Sequence, residues 1–421
     1  MVSRPAAGGV VVDAIENDPR TFGERVASAR RRGGMSQADL ATALGKSESW
    51  VSQVERDILA VERISVLHAL ADALGASILE LKPEAGLDAA PAPERFAELE
   101  LLRLTLTGHP APDVLGDGGA GPSLSADEVR GRVDAVWGLA DASMVADASE
   151  ALAGLLPDLE RAVRTTTGHQ QKELLHLLGR TYEAAATCLA RYGEADAAWL
   201  AADRALAAAE RSRQPLGVFA AQLRMAHAFV ALDQLEQAEH VVAASVTALS
   251  PLASGDAATP ESQSLLGATY LAQAVIGARS GDRSTARGAV KQARSLAARV
   301  GDDRNDFNTE FGPTTVELQA ISTAVDLGDA GEALELADAL DVGSLSPERR
   351  SRLHIDLARA HAQRRRTADA LTALLAAEDE APEYVAGSEA ARATVRDLLS
   401  LAGRRPPNAL AGLARRIGVA N

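Results

Sequence analysis

Five times between residues 192 and 370 the chain repeats one arrangement: an apolar helical run, a tight polar turn, then a second helix with alanine at a fixed place. The turns read YGEADAA (192–198), LDQLEQA (232–238), SGDRSTA (280–286), LGDAGEA (327–333) and RRRTADA (364–370). Their closing alanines, Ala198, Ala238, Ala286, Ala333 and Ala370, are 40, 48, 47 and 37 residues apart. A small residue at a constant offset is what two helices need where they touch, so the pattern predicts stacked helical hairpins. Composition agrees, with alanine and leucine abundant and aromatics only 3%, a balance that favours helix over sheet. At 421 residues the chain exceeds one ordinary core and must divide into domains or an array.

The hairpins run from about residue 125 to the end. Ser125 and Glu128 are spaced as a capping box, and Thr259-Pro260 and Ser346-Pro347 place an N-cap before a proline at the first helical position. Upstream, EAGLDAAPAPE (84–94) and HPAPDVLGDGGAGPS (109–123) read as linker around one helix from about Arg95 to Thr107, with Phe96, Leu99, Leu102 and Leu106 on one face. GDGGAG at 116–121 matches a dinucleotide fingerprint in letters only. No strand precedes it and prolines flank it, so it reads as linker. The array resembles degenerate tetratricopeptide repeats, although its spacing exceeds 34 residues and the aromatic positions are mostly lost. An irregular helical bundle is the alternative.

Between Phe22 and Leu81 the pattern changes to five short helices, near 22–32, 36–43, 47–55, 63–74 and 77–81. The core is MSQADLATALGKSESWVSQVE (35–55). Small Ala41 permits close helix approach, Gly45 tolerates a left-handed turn, and Val51 and Val54 seat the next helix, which together predict a helix-turn-helix. The segment resembles the Cro/C1-type (XRE) family of transcription regulators over about sixty residues. That resemblance implies an α-helical reader whose third helix enters the DNA major groove with its N-terminal residues toward base edges. Ser47 is then the N-cap, and Glu48, Ser49, Ser52 and Gln53 point outward. Gln53 suits adenine and Glu48 can accept from cytosine, although Glu48 also reads as a solvated acid at a helix start. Gln37 matches the family's phosphate-clamping glutamine, Lys46 supplies a cation, and Arg30 and Glu55 match a pair tying the first helix to the third. Trp50 departs from the family, since a smaller residue is usual there. It either packs on sugar or a thymine methyl, or fills the core beside Leu67. The segment RDILAVERIS after the motif (56–65) replaces the family's usual Asn-Gly turn. The tract DDRNDFNTEFGPTT (302–315) resembles one found in XRE regulators with such C-termini. It reads either as an ordered plug built on Phe307 and Phe311 or as a ligand-facing loop.

The net charge of −15 is not carried by the reader. Residues 21–82 hold eight basic and eight acidic groups, so a neutral reader is joined to an acidic body and gains little non-specific phosphate attraction. The N-terminus lacks a basic start and long apolar run, so no signal peptide is expected over the arm 1–20, and no stretch approaches a membrane span. Lone Cys188 reads as a buried small hydrophobe in a reducing compartment. His169/His176 and His354/His361 are too far apart along a helix to share a metal. With no nucleophile elbow or phosphate loop, no catalytic residue, cofactor or metal is expected.

The resulting expectation is an all-α protein: arm 1–20, helix-turn-helix 21–82, linker 83–124 with one short helix, repeat domain 125–421. Expected partners are a pseudo-palindromic DNA operator, a second copy of the chain, and a peptide, small-molecule or protein effector. If the turns align, the first helix of each hairpin presents an inward stripe as candidate effector face: Arg180 and Glu183, Leu223 and His227, Leu271 and Val275, Leu318 and Ser322, and Arg359. The stripe reads equally as the buried seam of a closed bundle. A protein-interaction adaptor with an unused reader is the other functional class.

Overall fold

The computed structural model describes residues 20–59, 61, 64–76, 78–81, 97–107, 125–142, 144–343, 345–403 and 406–419. The expected arm apart from Arg20, both linker stretches with GDGGAG, and Phe96 lie outside them. Helices are the only regular elements among the described residues, so the all-α expectation holds.

The reader consists of α1 (Phe22–Arg32), α2 (Gln37–Ala43), α3 (Glu48–Glu55), α4 (Ile64–Leu74) and α5 (Ile78–Leu81). Thr21 and Ser36 close capping boxes with Glu24 and Asp39, and Ser47 accepts from the Trp50 amide at 3.1 Å. Val26, Leu40, Val51, Val54, Leu67, Leu70 and Leu81 fill one small core, each fully buried aliphatic side chain contributing about 1.5–3 kcal/mol. Gly23 is required where α1 crosses the end of α3, because a Cβ there would strike the Val54 carbonyl. Where the family places Asn-Gly, Asp57 adopts φ 54°, a left-handed conformation that aspartate tolerates better than most residues. Its carboxylate returns to α1, accepting from the Gly23 amide at 2.6 Å.

The array begins earlier than its repeats suggest. Helix α6 (Ala97–Thr107), expected within the linker, buries Leu99, Leu102 and Leu106 in the same core as α7 (Ala126–Asp141) and α8 (Val145–Thr165). Arg103 also pairs with Glu194 and Asp196. Five hairpins follow: α9 (Gly168–Arg191) with α10 (Ala195–Ser212), α11 (Pro215–Ala231) with α12 (Leu235–Leu249), α13 (Pro260–Ser280) with α14 (Arg283–Val300), α15 (Pro313–Asp326) with α16 (Ala330–Asp338), and α17 (Pro347–Gln363) with α18 (Thr367–Glu380). Helices α19 (Pro382–Gly387), α20 (Glu389–Ala402) and α21 (Asn408–Arg416) cover the last one.

All five expected turns separate the helices of these hairpins. Ala198, Ala238, Ala286, Ala333 and Ala370 are fully buried, the close approach that the fixed spacing demanded. The second residue of each turn is left-handed: Gly193 (φ 81°), Asp233 (59°), Gly281 (79°), Gly328 (80°) and Arg365 (59°). One backbone solution is thus used five times, with glycine at three of the sites and a side chain tolerated at two.

First helices α9, α11, α13, α15 and α17 each pack on the next, forming one layer. The layer curls tightly enough for its ends to meet. Arg191 at the end of α9 pairs with Glu348 in the first turn of α17 at 3.1 Å, and the Tyr192 ring lies against Gly387. His227 retains accessible surface, yet burial pushes its imidazole down to about 3, helped by Arg224 and by Arg352 of α17. We read the hollow enclosed by the curled layer as a lumen, with Arg224 and Arg352 acting on His227 from two of its first helices. Cys188 is buried in the first core and its thiol is pushed up to about 11 by that burial.

Candidate nucleic-acid interface

The Arg30–Glu55 pair ties α1 to α3. The two groups share a bidentate contact, with Arg30 Nη2 donating to Glu55 Oε2 at 3.0 Å, while Nη1 donates to the Met35 carbonyl at 2.6 Å. Gln37, expected to clamp phosphate, here donates its amide to Glu55 at 2.7 Å. Burial raises the Glu55 pKa, but the hydrogen bonds from Arg30 and Gln37 outweigh it and hold the carboxyl below its ordinary range. This triad fixes the angle at which α3 is presented.

On α3, Val51 and Val54 face the core while Glu48 and Ser49 are exposed and Ser52 and Gln53 half-buried. Ser47 is exposed as N-cap. Trp50 is half-buried against the reader core, with Lys46 Nζ 6.0 Å from its ring centroid. Part of the ring stays exposed.

The outward face of α3 meets the array's own turns. Lys46 Nζ donates to the Ser280 carbonyl at 2.6 Å, capping the C-terminus of α13. The Gln53 amide lies so close to Gly328 that a Cβ there would sit 2.5 Å from Oε1. Arg365 Nη2 donates to the Arg56 carbonyl at 2.8 Å. Each contact uses, or directly adjoins, the left-handed position of the turn in the third, fourth or fifth hairpin. Between these contacts lies a cleft of about 840 Å³, lined from the reader by Ser49, Ser52, Gln53 and Arg56 and from the array by Arg287, Asp329, Glu332 and Arg364 among others. Arg287 pairs with Asp329 and Glu332, so two acids stand close to the face expected to read DNA. No sequence signal marked these turn residues as partners of α3, since each is explained by its own turn.

The expected effector stripe divides. Leu223 and Leu271 are buried in the core that also holds Phe311 and Val316. Val275 is half-buried against the core that holds Leu223 and Leu271, Leu318 against the one that holds Ile321 and Leu353, and Ser322 is buried. Arg180 donates to Asp134 at 2.9 Å, and Arg359 to Asp326 at 2.6 Å and Asp356 at 3.1 Å. Glu183 is buried and His227 is exposed.

Sequence reasoning passed over Arg224. It is the only Lys, Arg, Asp or Glu in the apolar run of α11, a signal that was present. The 302–315 tract is ordered as a plug: Phe311 is fully buried against Gly267, and Phe307 packs beside it. Arg224 grips this loop from the lumen, and Asn305 reaches Asp141 of α7 at 3.2 Å.

Residues 21–83 match a family model described as a helix-turn-helix domain. No curated protein matches the chain. Among solved structures it is similar to Bacillus thuringiensis PlcR in complex with the peptide PapR7 and DNA, at 13% identity over 66% of this chain and 95% of that one, TM-score 0.29. It is also similar to a PrgX mutant (11%, covering 94% and 99%, TM-score 0.24) and to ComR from S. thermophilus in complex with DNA and its signalling peptide ComS (12%, covering 76% and 100%, TM-score 0.22). No helix among the described residues is long and apolar enough to cross a membrane.

Proposed function

We propose that this chain is a cytoplasmic, sequence-specific DNA-binding transcription regulator, and that its helical array holds the reader and releases it when an effector enters the lumen. It acts by binding and carries no catalysis of its own. The observation that carries the reading is α3: a side-chain-capped helix, anchored by Val51, Val54 and the Arg30–Glu55 pair, with only polar groups on its outer face. Such a face has no structural purpose in the reader's own core. Its seat on the array turns supports a regulated reader, because the side chains that would meet bases are engaged within the chain. DNA and array compete for one surface, so apparent affinity scales with the released fraction.

A single reader contacts too few base pairs to address a genome, and the active unit is therefore read as a two-fold dimer on a pseudo-palindrome with half-site centres ~34 Å or a multiple apart. Genome-wide DNA enrichment with the tagged protein tests the reading, followed by footprinting of the enriched site. Gln53→Ala is expected to cost about 1–3 kcal/mol on that site and little on random DNA. Absence of any enriched site, with no retention on heparin, would instead favour an interaction adaptor.

A further inference from the structure

Arg224 is a buried cation without an anion to hold. It is 8% exposed, and its guanidinium lies 5.3 Å from the Trp137 ring centroid. Nη2 donates to two neutral acceptors, the main-chain carbonyls of Phe307 (3.1 Å) and Asn308 (2.6 Å). Nε is buried with no partner, and among the described residues no carboxylate forms an ion pair with Arg224. A planar guanidinium is built for bidentate carboxylate, and two carbonyl dipoles on one nitrogen are a weaker substitute.

Beside it, Glu183 of α9 is 4% exposed, and its carboxyl accepts no hydrogen bond among the described residues. Its charge is the one acting most strongly on Arg224, yet the two do not form an ion pair. Burial pushes this carboxyl up to about 7 against the pull of Arg224 and Arg180. An unpaired acid and an under-used guanidinium thus lie near each other on neighbouring first helices, with His227 a turn along from Arg224.

The loop that supplies the carbonyls is itself strained. Phe307 (φ 51°), Asn308 (54°) and Glu310 (49°) are all left-handed and none is glycine. Such a conformation persists only where its surroundings enforce it, and here the Arg224 grip is part of that enforcement.

We infer that Arg224 receives the α-carboxylate of the effector, with the adjacent ammonium or amide N–H turned to Glu183, and that the Phe307 and Asn308 carbonyls stand in for that carboxylate until it arrives. This rests on the effector reading above and gives it a ligand chemistry: a free amino acid or the C-terminus of a peptide. When carboxylate takes over Arg224, the loop loses its hold in the lumen. The loop also carries the Asn305–Asp141 link to α7, so its movement reaches α7, the helix that packs on α9 ahead of the hairpins.

The test uses the full chain with three probes: an equimolar mixture of the free L-amino acids, a random tetrapeptide mixture with free C-termini, and the same tetrapeptides amidated at the C-terminus. Calorimetric titration and thermal melting are read for each. A free-acid probe is expected to bind and raise Tm, with amidated peptides at least ten-fold weaker. Binding by the amino-acid mixture as against the tetrapeptides distinguishes the two sources. Arg224→Lys, which keeps the charge but loses the fork, should weaken binding at least ten-fold. Glu310→Gly relaxes the loop in its present seat, so it should raise the ligand-free Tm and weaken binding several-fold, and it decides the matter if Arg224→Lys does not fold. Equal binding of acid and amide, no free-acid binding at millimolar concentration, or unchanged affinity in Glu310→Gly overturns the inference. Operator binding is measured on the same preparation. DNA binding without carboxylate dependence rejects this inference alone, and carboxylate binding without DNA binding rejects the regulator reading instead.

Discussion

Replacing Arg365 with glycine separates the two jobs of one residue. Its backbone is left-handed at φ 59°, which costs a side-chain-bearing residue about 1 kcal/mol that glycine does not incur. Its side chain donates to the Arg56 carbonyl at 2.8 Å on an exposed edge, a contact worth about 1 kcal/mol at most after solvent competition. Arg365→Gly should therefore stabilise the array, raising its melting temperature by about 2 °C, while weakening the reader's seat. If the seated form dominates, losing about 1 kcal/mol of that seat raises the released fraction about five-fold and tightens apparent DNA affinity by the same factor. The sign is diagnostic, because removing a cation by itself weakens DNA binding. Fluorescence anisotropy on the enriched operator, with melting curves alongside, reads both effects. Asp233→Gly is the control: it is the equivalent turn position in the second hairpin (φ 59°) and does not line the reader cleft, so it should leave DNA affinity alone. Weaker or unchanged DNA binding by Arg365→Gly, with the Tm rise present, would show that the turns do not hold the reader closed.

Glu55→Gln breaks a pair whose side chains are 10% and 5% exposed, and should cost about 3 kcal/mol of reader stability; because the carboxyl is held below its ordinary range, the stabilisation is present above the unfolded glutamate range and lost as pH falls through the lowered pKa, as urea midpoints against pH will show. Glu183 behaves oppositely: its carboxyl is pushed up to about 7, so the folded state holds the extra proton and stability declines from about pH 4.3 up to about 7 before levelling. Glu183→Gln should flatten that slope and exceed the wild type in urea midpoint at pH 8, and an unchanged slope would show that Glu183 is not the source. Gly267→Ala drives a methyl into the Phe311 ring and should lower stability by about 1–3 kcal/mol, measured by thermal melting.

The hairpins were legible because their constraint is local. Each closing alanine is required by the helix it touches a few residues away, so five turns could be placed from spacing alone. The Arg30–Glu55 pair was legible through resemblance, and the N-caps at Ser47, Thr259 and Ser346 through their letters. What stayed hidden depends on residues far apart. Gly328 has its glycine for the turn, and nothing in that choice records Gln53 on the other side, 275 positions earlier. The leucine face of α6 was visible, but not that α7 and α8 would cover it. Leu223 and Leu271 were assigned to the inner face by periodicity, which fixes a helix face but not how closely the next helix approaches it. Arg224 was visible and undervalued: a single guanidinium in an apolar helix is expensive to bury, and so marks a place where the fold gives up stability for something else.

The reader touches three successive hairpins at corresponding positions, and that makes it a caliper. Its jaws at Lys46, Gln53 and Arg56 are set by one rigid small core, and they fit the turns at 280, 328 and 365 only at one pitch of the coil. In a stacked array small rotations between neighbours add up along its length. A ligand need not approach the reader to dislodge it, since any event that rewinds the third to fifth hairpins by a few degrees spoils the gauge. On the proposed reading the converse also follows: DNA that takes the reader away would remove the brace and free the coil to adopt the pitch an effector prefers, so that operator and effector would each sharpen the other's grip by the same factor.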